Sequence, residues 1–233
     1  MPDAAPEFAA AWSRFQTLQR LRLIPQTLES EWTQGRDRYL ALLIPIDDPQ
    51  VIAHIRPTVG AITGIPGVEP YPEVYWHATV KGIGFLTDTG SGREEVSEAQ
   101  LEAIAEAAGE CFAAQPGFEA TIGPANAFDE VVIMEVWDAG RIRALNTLLL
   151  ERLPGVARYP FDGRYFLPHV SIARFSSDSG LTELKDVLAE LRSEKPGAGR
   201  SFQVGFVDLI VAQLSEEAPR LEPLGRYELR GPR

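Results

Sequence analysis

The sequence predicts an α+β protein with a bilobal, pseudo-symmetric body: two antiparallel β-sheet lobes flanked by helices around a central cleft. Three observations predict it. Strand-like and helix-like segments recur in the order strand–helix–strand–helix–strand, and they do so twice. The middle strand of each round carries nearly the same word, HATV at 77–80 and HVSI at 169–172. Both strands alternate apolar and polar residues, which gives each one face for helices to cover and one polar face. A repeated order of elements marks a body made of two like halves.

The elements follow in order. Residues 7–33 place Phe8, Trp12, Phe15, Leu18, Leu21 and Leu28 at helical spacing, which predicts one or two helices interrupted at Pro25. Residues 1–37 are therefore expected to be a helical extension, and 38–233 a single bilobal domain. YLALLIPI (39–46) is an apolar run of strand length, and Asp48-Pro49 opens a helix with Pro in its first turn. After a Gly/Pro-rich loop (63–73), VYWHATVKGIGFL (74–86) is a strand. Ser97 with Gln100 forms a capping box for a helix whose inner face runs Leu101, Ile104, Ala105, Ala108, Phe112. FEATIG (118–123) closes the first round. The second round reads strand 130–137, helix 141–153 stopped by Pro154-Gly155, strand 166–175, helix 181–192 and strand 202–214. The acidic runs near 94–102 and 216–222 read as solvated surface.

Composition narrows the function classes. At 233 residues, 45% hydrophobic and 24% charged, the chain is long enough for a substantial core. Its net charge of −11 disfavours a broad grip on duplex nucleic acid, although it leaves room for a site that takes one phosphate. The single Cys111 is expected to be a buried, inert thiol. No stretch reaches the ~18 apolar residues of a membrane span, and the N-terminus lacks a secretion signal, so the cytoplasm is the expected compartment. A monomer is expected.

Chemistry resides in the two words. Period-two alternation puts Tyr75, His77, Thr79 and Lys81 on one face of the first strand, and Tyr165, His169 and Ser171 on one face of the second. Related by a twofold, those faces converge across one cleft. An imidazole near pKa ~6.5 can be neutral while its partner is protonated, so one takes a proton from an attacking oxygen and the other gives one to a leaving oxygen. The hydroxyls can donate to phosphoryl oxygens, with Lys81 adding charge. Two histidines without a third ligand make a poor zinc site, so neither metal nor cofactor is expected. Tyr75 and Tyr165 are candidates to stack on a base. His54, in AHIRP, reads as a helix-surface residue.

This pairing of His-x-(Thr/Ser)-x words resembles the 2H phosphoesterase superfamily, and most closely its branch of 2′-5′ RNA ligases and RNA 2′,3′-cyclic phosphodiesterases. The resemblance spans roughly residues 38–215. It implies that His77 and His169 are the catalytic pair, with His77 the acid, and that Thr79 and Ser171 bind phosphate. PHVSIAR (168–174) is similar to the branch's second motif, which makes Arg174 a substrate-binding candidate. Strict alternation turns Arg174 to the wrong face unless the strand bulges. The branch follows its first motif with a Phe-Leu-Gly-like turn, whereas KGIGFLTD stands here. The implied activity is metal-independent opening of a nucleoside or RNA 2′,3′-cyclic phosphate, and the implied partner is a nucleotide or RNA/tRNA end carrying one. Ligation or cleavage of 2′-5′ linkages, or nucleotide binding without turnover, are the alternatives.

Overall fold

Tyr39, Ala41 and Leu43 alternate with Leu40, Leu42 and Ile44 along β1 (Arg38–Pro45), and the two sets pack into different apolar clusters. A strand that looks uniformly apolar thus serves two covered faces. The computed structural model describes residues 6–23, 32–92, 94–194, 199–214 and 220–231. The expected break at Pro25, with Leu28 beyond it, lies outside the described residues.

Helix α1 (Pro6–Thr17) precedes β1, and α2 (Pro49–Ile62) follows it. Asp48 caps α2 by accepting from the Gln50 amide at 2.7 Å. Next come β2 (Val68–Pro70), a 3-10 turn over Glu73–Tyr75, β3 (His77–Leu86), β4 (Glu95–Val96) and α3 (Glu98–Ala113), which starts in the expected Ser97/Gln100 capping box. The chain continues through β5 (Phe118–Ala127), β6 (Val131–Trp137), α4 (Arg141–Arg152), a second 3-10 turn over Gly163–Tyr165, β7 (His169–Phe175) and α5 (Leu181–Glu194). It ends in β8 (Arg200–Val204), β9 (Phe206–Gln213) and β10 (Arg220–Glu228). Among the described residues no helix is long and apolar enough to cross a membrane.

The strands form one curled, mainly antiparallel sheet in the order β10-β9-β1-β3-β7-β6-β5-β8. The two lobes are its two ends. Read outward from the centre, β3-β1-β9 mirrors β7-β6-β5, so the third strand of each half has crossed to the other half's sheet. FQVGFVDLIVAQL is two strands rather than one: it divides at Gly205, where β8 leaves β5 and β9 joins β1. The acidic segment ending at 222 carries the start of β10, an edge strand that tolerates Pro223 at a register shift.

Helices α2 to α5 bury Val51, Ile55, Ile104, Phe112, Leu145, Leu149, Leu184 and Leu188 against one face of the sheet. On the opposite face lie two smaller clusters, Ala41/Leu43/Ile210/Ala212 in the first lobe and Phe8/Ile133/Trp137 in the second. Phe8 comes from α1, so the N-terminal helix packs on the second lobe.

Gly67 shows how tightly β2 is seated. Its φ is +80°, and a Cβ there would lie 2.5 Å from the Ser177 carbonyl oxygen. We predict that Gly67→Ala costs about 1–3 kcal/mol, from left-handed backbone strain and from that contact. A lowered urea midpoint would check this.

Candidate active site

The two middle strands touch at one pair, Ala78 with Val170, both fully buried on the helix side. Counting one residue outward along the antiparallel register sets His77 opposite Ser171 and Thr79 opposite His169. These four side chains share the other face, and each is half-buried. Directly opposed Cβ atoms stand about 4.5–5.5 Å apart and diagonal ones about 7–8 Å, so the two imidazoles lie on a diagonal that one phosphate group can bridge. Their proximity shows in their electrostatics, because positive charge on His169 disfavours positive charge on His77.

Each histidine is oriented in the same way. Nδ1 of His77 donates to the Tyr75 carbonyl at 2.6 Å, and Nδ1 of His169 donates to the Leu167 carbonyl at 2.8 Å. A carbonyl oxygen can only accept, so in the neutral rings the proton sits on Nδ1 and Nε2 carries the lone pair. Each ring also meets an aromatic edge-on, His77 with Tyr75 at 5.1 Å and His169 with Phe128 at 5.0 Å between centroids. Burial drives the His77 pKa down to about 4, against a smaller upward pull from the Tyr75 carbonyl. Burial lowers His169 as well. Among the described residues the Thr79 and Ser171 hydroxyls have no hydrogen-bond partner, so both are available to a ligand.

A bulge resets the side-chain alternation after each word. Against β1, Lys81 pairs with Leu42 and Thr79 with Leu43, leaving Val80 as the extra residue. Against β6, Ala173 pairs with Val132 and Ser171 with Ile133, leaving Ile172 as the extra residue. The bulges fall on the same position of the two words and shift the later alternation by one. Arg174 is thereby returned to the histidine face, where its Nε donates to Glu69 at 2.7 Å.

Lys81 goes the other way, and the expectation that it faces phosphate is corrected. It is fully buried, with Nζ 2.7 Å from the Ala157 carbonyl and 2.8 Å from Asp162. Asp162 also accepts from Asn146 at 3.0 Å, and Asn146 donates to the carbonyl of Val80, the bulged residue, at 2.9 Å. Lys81 therefore helps to hold the bulge.

Tyr75 and Tyr165 lie in the two 3-10 turns rather than in strands. Tyr75 still reaches His77, whereas Tyr165 is 61% exposed with the Arg164 guanidinium over its ring. Phe128 and Glu135 escaped the sequence reading. Glu135 is the cross-strand neighbour of His169, and its carboxylate is held by Asn126, Trp137 and Arg192. No sequence signal marks either residue, because Glu135 meets His169 through strand register and Phe128 through the turn between β5 and β6. Among the described residues no group of three or more His, Cys, Asp or Glu is placed to hold a metal.

Fold and site together define a protein of two pseudo-symmetric lobes with one histidine word from each at their junction. Comparison with known proteins agrees with that class. The family described as the 2′-5′ RNA ligase superfamily matches residues 45–215, and the chain belongs to it, among the 2H phosphoesterases. No curated protein sequence matches. Among solved structures, TT0787 of Thermus thermophilus is 17% identical with a TM-score of 0.61, covering 84% of this chain and 100% of its own. LigT of E. coli is 18% identical with a TM-score of 0.59, covering 84% and 99%. Protein ATU0111 of Agrobacterium tumefaciens is 12% identical with a TM-score of 0.59, covering 94% and 98%. At these identities the likeness is one of fold.

The buried groups yield two expected outcomes. Asp162→Ala strands the Lys81 ammonium in the core and lowers stability by about 3–5 kcal/mol, read from chemical denaturation. For His77 the folded ring, at about 4, refuses a proton that the unfolded chain accepts near 6.5. The unfolded state thus binds more protons in that window, and stability rises with pH across it. His77→Gln should rise less steeply over the same window in urea titrations.

Proposed function

We propose that the protein hydrolyses nucleoside 2′,3′-cyclic phosphates by two-histidine acid–base catalysis. The observation that supports this most is the diagonal pair of imidazoles, each with Nδ1 tied to a backbone carbonyl, flanked by two hydroxyls that have no partner among the described residues. Water attacks phosphorus as the neutral histidine takes its proton at Nε2. The bond from phosphorus to one ribose oxygen breaks, and the protonated histidine delivers its proton to that oxygen. The product is a nucleoside monophosphate. Thr79 and Ser171 donate hydrogen bonds to the non-bridging oxygens as their charge grows. E. coli LigT has been crystallised with phosphate, ATP, NADP+ and 3′-AMP, ligands of the same phosphate chemistry.

The two rings hold one proton between them more readily than two. Burial lowers both rings, and positive charge on His169 further disfavours charge on His77. We assign His77 as acid and His169 as base, the order the family resemblance implies. A nitrophenyl phosphodiester, whose leaving group needs no proton, separates the roles. His77→Ala retains activity on it while losing activity on the cyclic nucleotide, and His169→Ala loses both. The opposite pattern would reverse the assignment, and full activity of both variants on the cyclic nucleotide would remove the mechanism.

The pH profile is a second check. With both imidazoles depressed by burial, kcat/KM should be bell-shaped, with its maximum on the acid side of neutrality and unaffected by EDTA. A profile flat through that region, or abolished by EDTA, would contradict the reading.

A further inference from the structure

We infer that the substrate is a free, mononucleotide-sized cyclic phosphodiester rather than the end of a long RNA; the inference rests on the phosphodiesterase reading above. Helix α1 supplies the first argument. Phe8 is 1% exposed and packs with Ile133 and Trp137 on the histidine face of the second lobe. Ile133 is the cross-strand neighbour of Ser171, and Phe128, beside Phe8 in the same cluster, lies edge-on to His169. One residue away from the reacting groups, that half of the face is filled by protein.

The helix is fastened there along its length. The Phe8 carbonyl accepts from Asn126 at 3.0 Å, Glu7 pairs with Arg143 at 3.0 Å, and Arg14 pairs with Asp129 at 3.0 Å. Beyond it, the Arg22 amide donates to the Asp129 carbonyl and the Leu21 amide to Asp178, each at 2.6 Å. A polynucleotide leaving the site across the second lobe would have to displace these contacts.

Charge supplies the second argument. A protein that follows an RNA backbone does so with Lys and Arg that neutralise successive phosphates. Here three arginines on that side of the sheet already have carboxylate partners: Arg174 with Glu69, Arg14 with Asp129 and Arg22 with Glu130. The chain as a whole carries −11. Together the net charge and these pairs disfavour contacts to phosphates beyond the reacting one. What remains is recognition of a single phosphoryl group by two imidazoles and two hydroxyls.

The test compares adenosine 2′,3′-cyclic phosphate with a short and a long RNA oligomer ending in the same cyclic nucleotide. Turnover is followed across a range of salt concentrations. The expected result is no gain in kcat/KM with length, and a salt slope common to all three at roughly −0.7 to −1.4, the value for one or two phosphates. A tenfold or larger gain with length, together with a steepening slope, would overturn the inference while leaving the two-histidine mechanism standing. If none of the three is turned over, that mechanism falls instead. Competition between adenosine 2′-phosphate and a 2′-phosphorylated oligomer for binding then decides the size question, with tighter oligomer binding counting against it.

Discussion

The arrangement depends on one backbone contact, the pairing of Ala78 with Val170 at the middle of the sheet. It is where the two lobes meet, and it fixes the spacing of the histidines. Side chains alternate in a strand, so burying these two small and β-branched residues among the helices forces their neighbours to the other face. His77, Thr79, His169 and Ser171 are consequently brought together by register rather than by attraction for one another. Beyond this pair the two strands take other partners. β2 pairs with β7 through Glu69 and Arg174, and the Ala157 amide donates to the Ile83 carbonyl of β3 at 2.9 Å.

The symmetry is close at the centre and is lost outward. Both histidines have the same tautomer-setting bond, the same edge-on aromatic contact and the same bulge at the residue just past the hydroxyl. The residues after the bulges differ. Lys81 fills the core where Ala173 stands in the other half, and Arg174 faces the site where the first half has Gly82. A Cβ at Gly82 would collide with the Tyr39 hydroxyl, so that glycine is required by the close approach of Tyr39, whose hydroxyl pairs with Tyr159 at 2.8 Å. A shared histidine frame thus carries two unlike walls.

Buried polar groups stabilise the frame because each is matched. Asp162 receives Lys81, Asn146 and the Tyr159 amide, and Glu135 receives Asn126, Trp137 and Arg192. Groups so placed are costly when one partner is lost, which makes the backbone around each word resistant to rearrangement. The Thr79 and Ser171 hydroxyls differ, half-buried and without partners among the described residues.

The sequence by itself determined the order of elements, the helix caps at Asp48 and Ser97, the two histidine words and the like halves, because periodicity and capping are local properties. It did not determine which strands became neighbours. That β5 and β9 exchange lobes, and that 202–214 breaks at Gly205, result from pairing over long separations, to which local pattern is blind. The tertiary structure alone decided the bulges at Val80 and Ile172, since an extra residue shows only against a partner strand. Those bulges turned Lys81 inward and Arg174 outward, against the strict alternation of an isolated strand.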